Sequence, residues 1–303
     1  MGALVLVALW ATPAGASVGV LAAESGHALS VGQAILFGLV EGFTEFLPIS
    51  STGHLLVLAR ILDVGQHGHA EDAVKSYEIA IQAGAILAVA GLYRHRFVTM
   101  IEGATGRSES GRRVLLGVLV AFVPAAIVGV VFENVIKDLL FGVGPVIGAW
   151  VVGGILILVL TRSGVLAPRE GRVLEQLTPR DGLVIGLAQV ISLWPGTSRS
   201  LVTIVAALLL GYSMAAAVEF SFLLGFVTLG AATAYQVLKD GQLMVDAFGL
   251  WIPLVGLVAA FLGAAVSIKW MVGYLQRHDL SIFGWYRIAI AALVTILVVT
   301  NTI

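Results

Sequence analysis

The chain has no cysteine, which removes disulfide staples, thiolate metal sites and cysteine nucleophiles together. Charge is the second shortage. Asp, Glu, Lys and Arg make up 12% of residues, about half the fraction found in soluble domains. Such a surface cannot face water all round, which excludes an ordinary soluble enzyme and a disordered chain. With 17 basic against 18 acidic residues and a net charge of -1, the chain lacks the basic excess that draws proteins onto nucleic acid, and no nucleic-acid partner is expected. What is there is apolar: 59% of the 303 residues are hydrophobic, 36 are glycine, and the mean hydropathy is +1.01. Glycine in this setting suits closely packed helices in a bilayer. The expected fold is all-α, a polytopic integral membrane protein surrounded by membrane lipids.

A crossing helix takes about 20 mostly apolar residues. Uncharged runs of that order are Val114–Phe132, Leu139–Thr161, Phe220–Leu238 and Ala247–Ile268, with shorter ones at Ile79–Tyr93 and Ile288–Ile303. The Ile79 run is read as starting earlier, to include Tyr77 and Glu78. Lys and Arg set the orientation. The stretch with Arg94, Arg96, Arg107, Arg112 and Arg113 reads as cytoplasmic, as do those with Arg162, Arg169, Arg172 and Arg180, and with Lys269, Arg277 and Arg287. Asp63–Lys75, Glu133–Asp138 and Lys239–Asp246 read as external loops. Glu219 is taken as a cytoplasmic boundary residue, Glu133 as interfacial, and Trp270, Trp285 and Tyr286 as an aromatic belt.

Alternation of six helices forces two interrupted stretches, about Gln33–Leu62 and Gly182–Val218, each to start and end on one side. Each is therefore a hairpin, either re-entrant or a pair of full crossings, followed by three single crossings. The chain then divides into an N-terminal apolar extension (1–30), a first repeat (31–161, hairpin 33–62) and a second repeat of opposite orientation (182–303, hairpin 182–218). Gly38-Leu39-Val40-Glu41 leading to Pro48-Ile49-Ser50-Ser51 is echoed by Gly186-Leu187-Ala188-Gln189 leading to Pro195-Gly196-Thr197-Ser198. Inverted repeats whose broken helices meet near the midplane are a recurrent membrane architecture. The N-terminal extension is read as a retained helix rather than a signal peptide: Ala14-Gly15-Ala16 suits cleavage, but no basic n-region precedes it.

The hairpins carry the chemistry. Glu41 and Glu45, four apart, share a helix face. Pro48 ends that helix, and Ser50, Ser51 and Thr52 open the next, whose free N–H groups suit an anion; His54 follows. In the second hairpin Pro195-Gly196 breaks the helix, and Ser198, Arg199 and Ser200 open the next half, with Thr203 one turn on. Arginine suits phosphate, and ionisable groups at membrane depth mark function by default. Facing tips would set Glu, Glu, Ser and His against Ser, Arg, Ser and Thr. That set suits phosphoryl transfer, with Glu41 and Glu45 able to hold a Mg2+ that bridges phosphate oxygens. Acyl transfer is poorly served without a Gly-x-Ser-x-Gly elbow, and a zincin is excluded without His-Glu-x-x-His. Ser25-Gly26-His27 imitates one motif of the phosphatidic-acid-phosphatase class, but no Arg-Pro dipeptide accompanies it. Tyr77, Glu78 and Gln82 line the site or mark a helix end, and His67 and His69 are taken as solvated. A transporter or lipid flippase is the rival reading, since broken inverted repeats also build transporters.

At these residues the chain resembles the bacitracin-resistance-type undecaprenyl-diphosphate phosphatase family. Glu41–Leu55, ending in Ser-Ser-Thr-Gly-His, and Pro195–Ser200 with Thr203 carry the resemblance. Ile81–Val89 and Phe283–Ile288 support it, and it runs from about Gln33 to the end. It implies hydrolysis of a C55-type polyprenyl diphosphate to the monophosphate in the bacterial inner membrane, at a site open to the external face. It also implies a divalent cation, Mg2+ or Ca2+. Glu41 and Glu45 match the acidic pair, assigned to metal or acid–base work. Ser51 matches a candidate nucleophile, expected to use His54 as base, and Ser198, Arg199 and Thr203 match the phosphate-binding side, with Ser50, Thr52 and Ser200 beside them. The partners implied are the lipid diphosphate and membrane lipids, with room for a homodimer. The extension before Ser30 and the Gly225-Phe226-Val227 sequence, where Ala-Ile-Pro is often found, depart from the family pattern.

Overall fold

The computed structural model describes residues 29–65, 69–164, 166 and 170–303. The readings made for residues 1–28, for His67 and for the His69 side chain lie outside the described residues. Among the described residues twelve α-helices follow one another: α1 Val31–Thr44, α2 Ser51–Ile61, α3 His69–Leu92, α4 Arg94–Ala104, α5 Glu109–Val131, α6 Glu133–Leu140, α7 Val143–Arg162, α8 Pro179–Gln189, α9 Arg199–Leu209, α10 Met214–Phe248, α11 Trp251–Leu275 and α12 Ser281–Val299. Six of them, α3, α5, α7, α10, α11 and α12, are long and apolar enough to cross a membrane. Their outer faces expose large apolar side chains such as Val130, Val152, Leu238, Val266 and Val299, as lipid-facing helices do. The protein is all-α and multi-pass.

The hairpins are α1–α2 and α8–α9. At about 1.5 Å per residue, the 14 residues of α1 reach about 21 Å and the 11 residues of α2, α8 and α9 about 17 Å. None approaches the ~30 Å of a hydrocarbon core, so both hairpins are re-entrant. Three crossings, α3, α5 and α7, separate them, so they enter from opposite faces and their tips meet inside.

Packing obeys a pseudo-twofold relation: α1 lies on α11 as α8 lies on α5, while α3 pairs with α10 and α7 with α12. Glycine makes the first two contacts possible. A Cβ on Gly38 would stand 2.2 Å from the Gly256 carbonyl oxygen and one on Gly42 2.2 Å from that of Ala260; on Gly182 and Gly186 it would meet the Gly117 and Ala121 oxygens at 2.5 and 2.4 Å. Backbones this close gain dispersion along their whole length. The equivalence corrects the register of the internal echo. Gly38-Leu39-Val40-Glu41-Gly42 corresponds to Gly182-Leu183-Val184-Ile185-Gly186, one helical turn earlier than the Gly186 match. The four residues of a 3₁₀ turn, Val190–Leu193, restore the register, so that Ser50 and Ser198 cap equivalent helices.

Charge alone proves a poor helix terminator. Lys239–Asp246, expected as a loop, continues α10, held by Gln236–Asp240 and Gln242–Asp246 side-chain bonds of 2.6 and 2.7 Å at i,i+4 spacing. Lys239 pairs with Glu133 at 3.3 Å, and Glu133–Asp138 is helical in α6. The second hairpin closes at Leu209 rather than Val218, and α12 starts at Ser281 rather than Ile288. On the basic side Arg96 ties three elements, bonding Glu219 at 2.6 Å and Glu175 at 2.5 Å. The Arg96 hydrogen bond holds the Glu175 carboxyl below its ordinary pKa against the opposing effect of burial. Glu219 does sit near the start of its helix, as expected, but as an ion-pair partner.

Gly42→Val and Gly186→Val each drive a side chain into backbone; overpacking of this kind costs about 1–3 kcal/mol. Both variants are expected to unfold several degrees earlier than the parent in detergent. Gly273→Ala, where nothing lies within 4 Å, is expected to melt with the parent.

Candidate active site

Irregular backbone at membrane depth has no water to bond, so its carbonyls must find protein donors. At the first tip four consecutive carbonyls do so, each through a side chain. Leu47 O accepts from Ser200 Oγ (2.9 Å), Pro48 O from Arg287 (3.3 Å), Ile49 O from the Trp150 indole (2.9 Å) and Ser50 O from His54 Nδ1 (2.6 Å). Donors from α9, α12, α7 and α2 thus converge on one loop. Ser50 and Ser198, at φ 72° and 76°, hold the left-handed backbone that turns each chain into its second half-helix, a conformation of order 1–3 kcal/mol uphill for a side-chain-bearing residue. The donors around it offset that strain.

The tips are joined by charge as well. Arg199, at the start of α9, donates to Glu45 Oε1 at 3.0 Å, and both side chains are buried, at 8% and 7% exposure. Its other terminal nitrogen donates to the Ser221 carbonyl at 2.7 Å, and its guanidinium lies 5.4 Å from the Phe46 ring centre. Gly225 clears the space: a Cβ there would stand 2.3 Å from Arg199 Nη1. The Gly225-Phe226-Val227 departure therefore leaves α10 unbroken and makes room for the guanidinium. The second Glu45 oxygen accepts the Ser51 hydroxyl. Serine, carboxylate and guanidinium form one chain across the two hairpins.

Glu41 is buried one turn earlier. It lies near Glu45 and Glu78, with the Gln82 side chain beside it. Tyr77 turns away, donating to Ala34 O at 2.9 Å. Glu41 Oε1 and Arg199 Nε are buried without a partner, an acceptor and a donor left unspent in a native interior. Among the described residues no three His, Cys, Asp or Glu side chains gather tightly enough to hold a metal by themselves. The free Glu41 oxygen and the Glu45 carboxylate fit a hard cation that takes its other ligands from phosphate oxygens and water.

The other residues singled out in the sequence take different places. His54 does not bond Ser51. Its Nδ1 lies on Ser50 O and its Nε2 meets the Tyr286 hydroxyl at 2.8 Å; the side chain that Ser51 bonds is Glu45, because helix α2 points the two side chains to different neighbours. Ser198 bonds Ser200 at 3.0 Å and Thr203 bonds Ser221 at 2.8 Å, so these hydroxyls knit the second tip. Ser50 is buried, and Thr52 is exposed. Trp270, Trp285 and Tyr286 are all exposed, as a belt would be, and the Tyr286 hydroxyl also meets His54. Arg287, counted among the cytoplasmic loop charges, is instead wholly buried in α12 and donates to Ala149, Gly196 and Pro48 carbonyls. Trp150, Ser221, Gly225 and Arg287 were missed. Of these, Gly225 stands out in the sequence only as a departure from the family pattern, and Arg287 only as a charge within the Phe283–Ile288 stretch.

The family described as Bacitracin resistance protein BacA matches residues 34–293. An undecaprenyl-diphosphatase of Sorangium cellulosum is 46% identical over 264 residues, covering 86% of this chain and 84% of the relative. Undecaprenyl-diphosphatase 1 of Burkholderia cenocepacia is 43% identical over 261 residues, covering 85% and 91%. An undecaprenyl-diphosphatase of Methylibium petroleiphilum is 43% identical over 273 residues, covering 86% and 93%.

Removing one partner of a buried ion pair costs about 3–5 kcal/mol, while replacing both with apolar groups is often neutral. Glu45→Ala is therefore expected to lower the melting temperature in detergent strongly, and Glu45→Ala with Arg199→Met to recover most of the loss.

Proposed function

The chain belongs to the bacitracin resistance protein BacA family, and on that membership and the geometry of its two tips we propose that it hydrolyses a polyprenyl diphosphate to the monophosphate and inorganic phosphate. The observation that carries the reading is the buried chain Ser51–Glu45–Arg199, which joins a nucleophile, a base and a phosphate-binding cation across the two hairpins. The relatives at 43–46% identity are undecaprenyl-diphosphatases, which supplies the substrate class.

In this reading the Ser51 hydroxyl attacks the terminal phosphorus and its proton passes to Glu45. The bond from phosphorus to the bridging oxygen breaks, the polyprenyl monophosphate leaves, and water then releases phosphate from Ser51. A weak hydroxyl nucleophile needs such a neighbouring base. Protonation of Glu45 removes the charge that held Arg199, which frees the guanidinium for the phosphoryl oxygens in which charge is spread. Proton transfer and phosphate binding are thereby coupled through one carboxylate. His54 holds the Ser50 backbone and so aims Ser51. A Mg2+ or Ca2+ ion held by Glu41, with Glu45 beside it until the proton arrives, would supply further neutralisation of the diphosphate. The Lys/Arg-rich ends of α3, α5, α7 and α11 face the cytoplasm of a bacterial inner membrane in this reading, with the reacting tips open to the external face.

Phosphate release from a polyprenyl diphosphate by the detergent-solubilised protein, with no membrane gradient, tests hydrolysis against transport. Turnover is expected with Mg2+ or Ca2+, to stop with EDTA and to return on readdition. Ser51→Ala is expected to lower kcat by about 10³-fold or more, and Arg199→Lys by about 10²-fold, since an ammonium does not replace a bidentate guanidinium. No release with either cation present would sink the enzyme reading, and near-normal turnover by Ser51→Ala would move the nucleophile elsewhere.

A further inference from the structure

Arg287 takes no part in the chemistry set out above, yet from α12, outside both hairpins, it donates to backbone carbonyls of each tip. Its guanidinium donates to Gly196 O at 2.8 Å, Ala149 O at 2.8 Å and Pro48 O at 3.3 Å. Pro48 and Gly196 are equivalent positions, each two residues before a serine with positive φ, Ser50 and Ser198. The guanidinium therefore sits where the pseudo-twofold relation brings the two loops together, and a residue from one repeat serves both. Gly153 on α7 makes room, since a Cβ there would stand 2.4 Å from Arg287 Nη2. No carboxylate bonds this buried cation among the described residues; its bonded partners are backbone carbonyls. A planar fork bonded at three points fixes distance and angle together, which a point charge cannot do.

We propose that Arg287 is a positioning residue for the phosphatase reaction, setting the separation and mutual orientation of the two tips so that Ser51 and Arg199 address the same phosphorus. The proposal rests on the phosphatase reading. It acts through the backbone: Pro48 is three residues from Ser51, and Gly196 three from Arg199. Misplacing a reacting group by about 1 Å costs on the order of 10²-fold in rate.

Wild type, Arg287→Lys and Arg287→Gln are compared as full-length proteins in detergent by thermal unfolding and by kcat and KM for phosphate release. Tip geometry is read by pulsed EPR between nitroxides at Phe43→Cys and Ile191→Cys, positions 42% and 60% exposed, in a chain whose lack of cysteine confines the labels to those sites. Arg287→Lys is expected to remain folded, with kcat lowered about 10- to 100-fold, KM changed by less than about 3-fold, and a broadened distance distribution. Arg287→Gln is expected to broaden it further. Folded variants with wild-type kcat and a narrow distribution overturn the proposal. So does a kcat loss that matches the unfolded fraction while distances stay narrow. If wild type itself releases no phosphate while the variants still broaden the distribution, the phosphatase reading fails and the clamp stands.

Discussion

Everything at the centre of this protein follows from the need to satisfy the bare carbonyls of a broken helix buried in protein. A broken helix exposes them, and in a bilayer each unsatisfied group costs several kcal/mol. The chain meets that requirement with side chains drawn from four helices, and the same bonds that quiet the carbonyls of Leu47 to Ser50 fix the half-helix on which Ser51 stands. Satisfaction of the backbone and alignment of the reactive groups are one arrangement.

The two repeats share a scaffold and differ in content. Their outer contacts are equivalent down to paired glycines against paired small residues, yet the tips hold different chemistry. The 3₁₀ turn before Trp194 displaces the second helix by one turn relative to its tip. Gln189 occupies the place that Glu45 holds in the first hairpin, and its amide is buried without a partner. Acid therefore lies on one side of the site and base-stable cation on the other. A diphosphate ester, itself different at its two ends, calls for that asymmetry.

Much of the architecture was legible in the residues because membrane helices announce themselves by length and apolarity, and because Lys and Arg alternate between loops. The six crossings, the two hairpins and the grouping of Glu41, Glu45, Ser51 and Arg199 all emerged this way. What escaped were contacts made by backbone. Arg287 looked like a loop charge because nothing in sequence says that a guanidinium will bond three carbonyls. The registers of the repeats slipped by a turn because Gly-Leu pairs recur in so glycine-rich a chain. The motif suggests His54 as the base for Ser51, whereas the side-chain directions of a helix send it to Ser50 O and Tyr286.

The distances along the chain carry a consequence for how the protein is made. Glu45 meets its counter-ion 154 residues later, and the Pro48 carbonyl meets its donor 239 residues later, in the last crossing helix. While the first repeat emerges from the ribosome, its hairpin has neither. A carboxylate and a loop of open carbonyls cannot rest in hydrocarbon in that condition. The first hairpin therefore reaches its fully bonded state only once the C-terminal helix is in place.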